Sequence, residues 1–246
     1  MRFDLISVFP GVVADFGRLG VTGEACRRNK LVLRGHNLRD FAGSSRRPDD
    51  LPYGGGAGML LQAEPLARAV EFVRQEAPHH LSRPVITLTP HGRRFDQVAA
   101  EHLAQRGGAI VLCGRYEGMD ERVTDTLVDE EYSLGDFVLS GGELPALCIV
   151  DCCARLIPGV LGAEDALMSE SFVDGLLEFP QYTRPADWRE QPVPAVLTSG
   201  DHAKITRWRR QQALGRTFLR RPDLLDDIPL SADDRALLRD YLDTEN

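Results

Sequence analysis

Lysine is almost absent from the chain: Lys30 and Lys204 are the two among 29 basic residues in 246. Asn29 and Ala203 precede them, which excludes a phosphate-binding G-x-x-x-x-G-K-[ST] loop. Neither lysine lies in the apolar setting that tunes a Schiff-base amine. The five cysteines form no C-x-x-C pair, and their odd number argues against a disulfide framework. Cys148, Cys152 and Cys153 share one apolar run and read as small buried hydrophobes. H-E-x-x-H, G-x-S-x-G and G-x-G-x-x-G are all missing. The six histidines, His79-His80 among them, are scattered, so no metal site is expected. No apolar run approaches the roughly 20 residues needed to span a bilayer, so no membrane partner is expected. The opening MRFDLISVFPG lacks the pattern of a signal or transit peptide. The expectation is a cytoplasmic globular protein.

Charge is present but unevenly placed. The chain carries a net −8. Residues 182–222 hold nine basic and three acidic side chains, or +6, whereas 223–246 hold two and eight, or −6. A confined basic segment attracts a polyanion even on an acidic protein, although a solvated helix face has the same composition.

Through residue 160, short apolar runs alternate with helical patterns. Strands are expected at 3–9, 31–33, 84–88 (stopped by Pro90), 109–113 and near 132. Helices are expected at 63–76, 95–106 and 144–157, the last opened by a Ser140-Gly-Gly-Glu143 capping box. This alternation predicts an α/β fold with a parallel sheet. Weak periodicity over 161–180 reads as a linker. Beyond it, Asp201 caps a helix running to about Arg221, with Ile205, Trp208, Leu214 and Phe218 near one face, and a short helix covers 231–242. Three parts result: an α/β domain at 1–160, a linker at 161–180 and a small helical domain at 181–246.

Glycine marks where a ligand would be held. Three segments stand out: Tyr53–Met59, Gly114–Gly118 and Gly135–Glu143. Glycine lets a backbone approach a ligand closely, and open α/β sheets bind ligands beyond the carboxyl ends of their strands. The nearby acid–base candidates are Glu117, Asp136, Glu143, Glu170 and Asp174, with Arg115 and Arg155 as cations. Arg155 lies in an apolar stretch where an unpaired charge is costly, and Asp151, four residues earlier, is its simplest partner.

The segments YGGGAGM, CGRYEGMDERV, YSLGDFVLSGGELPALCIVDCCARLIPGVLG, ESFVDGLLEFPQYTRP and VPAVLTSGDHAKITRWRRQQAL resemble the bacterial tRNA (guanine-N1)-methyltransferases from end to end. The resemblance implies a SPOUT-superfamily α/β fold with a deep trefoil knot, a topology that residue patterns do not reveal. It implies a homodimer with active sites at the subunit interface. It also implies S-adenosylmethionine as methyl donor and the tRNA anticodon stem-loop as partner, with N1 of guanosine 37 as the target. Carried over onto this chain, the donor site comprises Leu88, Pro90, Gly114, Glu117, Leu134, Gly135, Asp136, Phe137, Val138, Leu139, Gly141 and Gly142. Glu170 stands where the family usually has an aspartate general base, with Asp174 as a substitute, and Arg155 faces guanine O6. Lys204, Arg207 and Arg210 would contact tRNA phosphates. Ala57 stands where the family usually has proline, and Leu51 where it has a basic residue. Nothing in the pattern specifies a divalent cation. Ribose methylation on the same fold and an inert RNA-binding protein are the rival readings; the linker carboxylate and the intact LGDFVLSGGE segment weigh against them.

Overall fold

In the computed structural model, residues 1–77, 83–162, 170–226 and 228–245 are described; His79-His80 and part of the expected linker fall outside them. The chain divides into two compact units, 1–162 and 163–246. No described helix is long and apolar enough to cross a membrane.

The first unit runs β1 (Arg2–Ser7), α1 (Gly11–Phe16), α2 (Gly20–Arg27), β2 (Val32–Asn37), a small hairpin of β3 (Asp49–Asp50) and β4 (Leu60–Leu61), α3 (Ala63–Glu76), β5 (Val85–Arg94), α4 (Gln97–Gln105), β6 (Gly108–Leu112), α5 (Glu121–Leu127), β7 (Glu130–Ser133) and α6 (Glu143–Arg155). Five strands form an all-parallel sheet in the order β2-β1-β6-β5-β7. β1 and β6 are central and every residue in them is buried, as expected of strands covered on both faces.

The two-residue strand period splits their side chains between two cores. Phe3, Leu5, Ala109, Val111 and Ile86 point to the side packed by α4, α6 and the first two helices. Ile6, Ile110, Leu112 and Val85 point to the side packed by Leu66, Ala69, Val70 and Val73 of α3 and Val123 of α5. Each fully buried leucine or isoleucine contributes about 1.5–3 kcal/mol.

Several expectations change. Helices α1, α2 and α5 are too short to leave a long apolar period. Pro90 does not end β5: pairing with β7 slips between Leu88 and Arg93, both opposite Tyr132, so residues 89–92 bulge out and the strand resumes. A bulge is where a strand tolerates proline. Cys148 and Cys152 are exposed and only Cys153 of that run is buried. The capping box at 140–143 does not form: α6 is capped by Gly142 without a side-chain bond. Asp151 accepts from Thr22 Oγ1 at 3.1 Å.

The second unit contains a hairpin of β8 (Asp187–Trp188) and β9 (Gln191–Pro192), then α7 (Ala195–Thr198), α8 (His202–Arg220) and α9 (Ala232–Glu245). Asp201 caps α8, its Oδ1 accepting from Lys204 N at 3.1 Å. The core combines Leu176, Ala213, Leu214 and Leu237, so a segment expected to be linker supplies a core residue. Leu214 is buried as expected, but Phe218 is 42% exposed, and Ala213 and Thr217 complete the packed face.

A cluster of buried charges centres on one carboxylate of the first unit. Asp4, on β1, is fully buried. Its oxygens accept from Arg2 Nε (2.7 Å) and Nη2 (2.9 Å), Arg83 Nη1 (2.6 Å) and His36 Nε2 (2.8 Å). Burial alone would raise its pKa, but the bonds from His36, Arg2 and Arg83 outweigh burial and hold the carboxyl well below the usual range. A depressed carboxyl stabilises the fold above its unfolded pKa of about 3.9 and loses that contribution as pH falls further. Removing one member of a buried ion cluster costs about 3–5 kcal/mol. In urea titrations Asp4→Asn is therefore expected to lose about that much at pH 7, with the gap to wild type narrowing below about pH 4. A constant gap down to pH 3 would contradict the assignment.

Candidate functional site

The three glycine segments of the sequence converge at the end of β6. Gly142 N–H donates to Gly114 O at 2.8 Å, and Arg115 and Gly141 form an antiparallel bridge. From the other side, Glu117 N–H donates to Met59 O (3.1 Å) and Leu61 N–H to Gly118 O (3.0 Å). The loop 114–118 is thus clamped between the other two.

Close approach explains three of the glycines. A Cβ on Gly142 would lie 2.8 Å from Cys113 Cα, one on Gly141 2.2 Å from Arg115 Nε, and one on Gly58 2.6 Å from Glu117 Cγ. Gly58 also has φ +89°, a conformation that favours glycine.

Around this crossing lies a cavity of about 410 Å³, within the range that holds a nucleotide-sized ligand. It opens beyond the carboxyl ends of β5, β6 and β7. Leu88, Pro90, Gly114, Glu117, Leu134, Gly135, Phe137, Val138, Leu139, Gly141 and Gly142 all line it. Asp136 does not: it is exposed at the tip of a tight turn in which Phe137 N–H donates to Gly135 O at 2.9 Å. Phe137, Val138 and Leu139 are 55%, 85% and 41% exposed, an apolar edge facing out.

Arg115, a candidate cation from the sequence, lines the cavity; sequence reasoning missed Thr89 and His91, which the β5 bulge carries into the lining, and Tyr116 and Tyr132. Pro90 inside a strand pattern was the available signal for the bulge. Tyr116 holds φ +61°, uncommon for a bulky residue. Burial, then its bond to Glu130, pushes the Tyr132 phenol up to about 12, so it stays protonated. Burial, then the Glu143 charge, pushes the Cys113 thiol well above its ordinary value, which removes it as a nucleophile. Among the described residues no group of three or more His, Cys, Asp or Glu is arranged to hold a metal ion.

The other expected site residues lie elsewhere. Arg155 is half-buried in the last turn of α6. It is about 18 Å along the helix from Glu143 at 1.5 Å per residue, and it does not line the cavity. In the second unit, Glu170 is half-buried and its carbonyl accepts from Val173 N–H. Asp174 is engaged by Arg210 Nη1 at 2.6 Å, and Arg210 Nε also donates to Asp234 at 2.8 Å. Arg210, expected to reach RNA, is therefore committed to tying α8 to α9 and to the segment before them. Lys204 and Arg207 are exposed; Lys204 pairs with Asp201 at 3.2 Å and Arg207 lies 3.9 Å from Asp240. Trp208 is half-buried beside Tyr182, ring centres 6.4 Å apart.

A parallel sheet with a glycine-built cavity at its carboxyl edge defines an α/β protein that holds a small ligand against backbone. The family model described as tRNA (guanine-1)-methyltransferase TrmD matches residues 1–227. The chain is 51% identical to the tRNA (guanine-N(1)-)-methyltransferase of Syntrophotalea carbinolica over 98% of its own length and 96% of the relative's. It is 48% identical to that of Dehalococcoides mccartyi (100% and 99% covered) and 47% identical to that of Vibrio cholerae (98% and 98%). The chain belongs to the tRNA (guanine-1)-methyltransferase family.

Gly142→Ala forces a methyl group against backbone, and overpacking of this kind costs about 1–3 kcal/mol. Gly11→Ala meets nothing within 4 Å. Thermal denaturation is expected to show a clear loss for the first and almost none for the second; equal midpoints would contradict the crossing geometry.

Proposed function

We propose that the chain transfers a methyl group from S-adenosylmethionine to N1 of guanosine 37 in tRNA, next to the anticodon. Membership of the family supports the reaction class. The observation that carries the donor site is the convergence of eleven of the twelve expected residues on one cavity. Its lining suits the donor: where a side chain would clash, Gly141 and Gly142 leave backbone at the wall, and the 134–139 segment adds an apolar edge for a purine ring. Bound there, S-adenosylmethionine supplies an already activated sulfonium methyl. The same reading assigns the first unit to the SPOUT superfamily with its trefoil knot.

What remains for the protein is proton transfer, charge stabilisation and orientation. Guanine N1 carries a proton and is a poor nucleophile until the proton leaves. Glu170 is assigned as the general base, with Asp174, held by Arg210, as its substitute. As N1 loses its proton, negative charge grows on O6, and Arg155 is assigned to stabilise it. Arg155 lies too far along α6 to reach its own protomer's cavity. This supports a homodimer whose active sites lie at the subunit interface. So does the outer stripe of α6, where Leu144, Cys148 and Cys152 are exposed at helical spacing. Lys204 and Arg207 of α8 are assigned to tRNA phosphates, which position the substrate without reading its sequence.

Labelled methyl transfer to tRNA transcripts tests this directly: transcripts with guanosine at position 37 are modified, and those without it are not. Glu170→Gln is expected to slow transfer by about 10²-fold or more while leaving donor binding intact. Arg155→Lys is expected to be severe as well, because a point charge does not replace a planar fork. Undiminished turnover would remove either residue from its role. Replacing Lys204 and Arg207 with alanine is expected to reduce the salt slope of tRNA affinity by about 1–2; an unchanged slope would place the phosphates elsewhere.

A further inference from the structure

Glu143 does not line the cavity, yet its carboxylate holds Arg115, which does. It opens α6, where a first-turn glutamate ordinarily faces solvent or caps the helix. Here it turns inward and is 2% exposed. One carboxylate oxygen accepts from Ser7 Oγ at the end of β1, at 2.6 Å; the other accepts from Arg115 Nε, at 2.8 Å.

Each partner extends the connection. Ser7 Oγ accepts from Phe9 N–H at 2.8 Å, fixing the turn after β1. Arg115 Nη1 donates to Ser140 O at 3.1 Å, and its guanidinium lies 4.7 Å over the Phe9 ring. Gly141 lets the guanidinium pass, since a Cβ there would meet Arg115 Nε at 2.2 Å. A single carboxylate thus joins the loops after β1, β6 and β7.

We propose that Glu143 is a positioning residue for the methyl-donor pocket, holding Arg115 and the 139–142 wall in the geometry that receives the donor. This rests on the donor site assigned above. Stability alone does not account for the arrangement. A buried ion pair contributes little net stability compared with apolar residues of the same volume. What it does supply is direction: a two-oxygen acceptor with fixed partners orients the loop it holds.

The test is calorimetric binding of S-adenosylmethionine, with tRNA affinity, melting temperature and kcat at saturating donor measured alongside. Glu143→Gln keeps the shape and removes the charge. It is expected to weaken donor binding about tenfold or more, the effect of losing a charged hydrogen bond. The expected kcat stays within about threefold and tRNA affinity within about twofold, because the side chain is buried and outside the cavity lining. Ser7→Ala, which leaves the ion pair intact, is expected to weaken donor binding by about two- to fivefold. Donor affinity unchanged in both variants would overturn the inference. So would donor affinity, tRNA affinity and kcat all declining in step with melting temperature, which is the mark of a purely structural residue. Wild-type protein that does not take up the donor would overturn the functional reading and this inference together. Wild-type binding with an unaffected Glu143→Gln would overturn this inference alone.

Discussion

The structure turns on one close crossing. The backbone leaving β6 at Cys113–Gly114 runs so near the backbone entering α6 at Gly142 that no side chain fits between them, and Gly142 N–H bonds directly to Gly114 O. Two chain segments 28 residues apart are thereby locked together at the carboxyl edge of a parallel sheet. The cavity is the space this crossing leaves beside it. At the crossing its wall is backbone, because no side chain fits where Gly142 meets Cys113 and Gly114. Such a site suits a ligand that must be held in one orientation, since main-chain groups on a packed sheet have little freedom to move.

Rigidity of this kind has to be anchored below, and the central strand supplies the anchor. β1 carries a buried carboxylate at Asp4 and presents Ser7 at its far end, so both ends are fixed by polar contacts set in an apolar core. The two anchors differ. Asp4 joins the strand to cations on its neighbours and serves the fold. Ser7 joins it to Glu143 and through it to the cavity wall. The second unit has its own core around Leu176 and Leu214 and contains the basic segment 182–222. Within it Arg210 is held by Asp174 and Asp234, while Lys204 and Arg207 remain on the surface. One carboxylate of the acidic stretch 223–246, Asp234, holds Arg210 of the basic helix, and a second, Asp240, lies 3.9 Å from Arg207.

Much of this was legible from residue order. The strand at 109–112 is a continuous apolar run of the kind buried on both faces, the strand at 3–7 sets Asp4 and Ser7 among apolar residues, and two of the three glycine segments, 114–118 and 135–143, supply cavity lining. What stayed hidden was whatever depends on partners distant in sequence. Pro90 reads as a strand end until β7 is present to resume pairing beyond a bulge. Glu143 reads as a helix cap until Ser7 and Arg115 are brought to it. Cys148 and Cys152 read as core because an apolar helix is assumed to be buried all round, whereas α6 keeps an exposed apolar stripe. Asp136 reads as part of the site because its neighbours are; the turn at Gly135 lifts it out.

The central claim is that the crossing of residues 113–118 with 139–142 creates the pocket for the methyl donor. A crystal structure of the protein with S-adenosylhomocysteine, the donor without its methyl group, tests this most directly. The account predicts the ligand seated against Leu88–Pro90, Gly114 and residues 134–142, hydrogen-bonded mainly to backbone groups. Ligand bound elsewhere on the chain, with that cavity left to solvent, would contradict it.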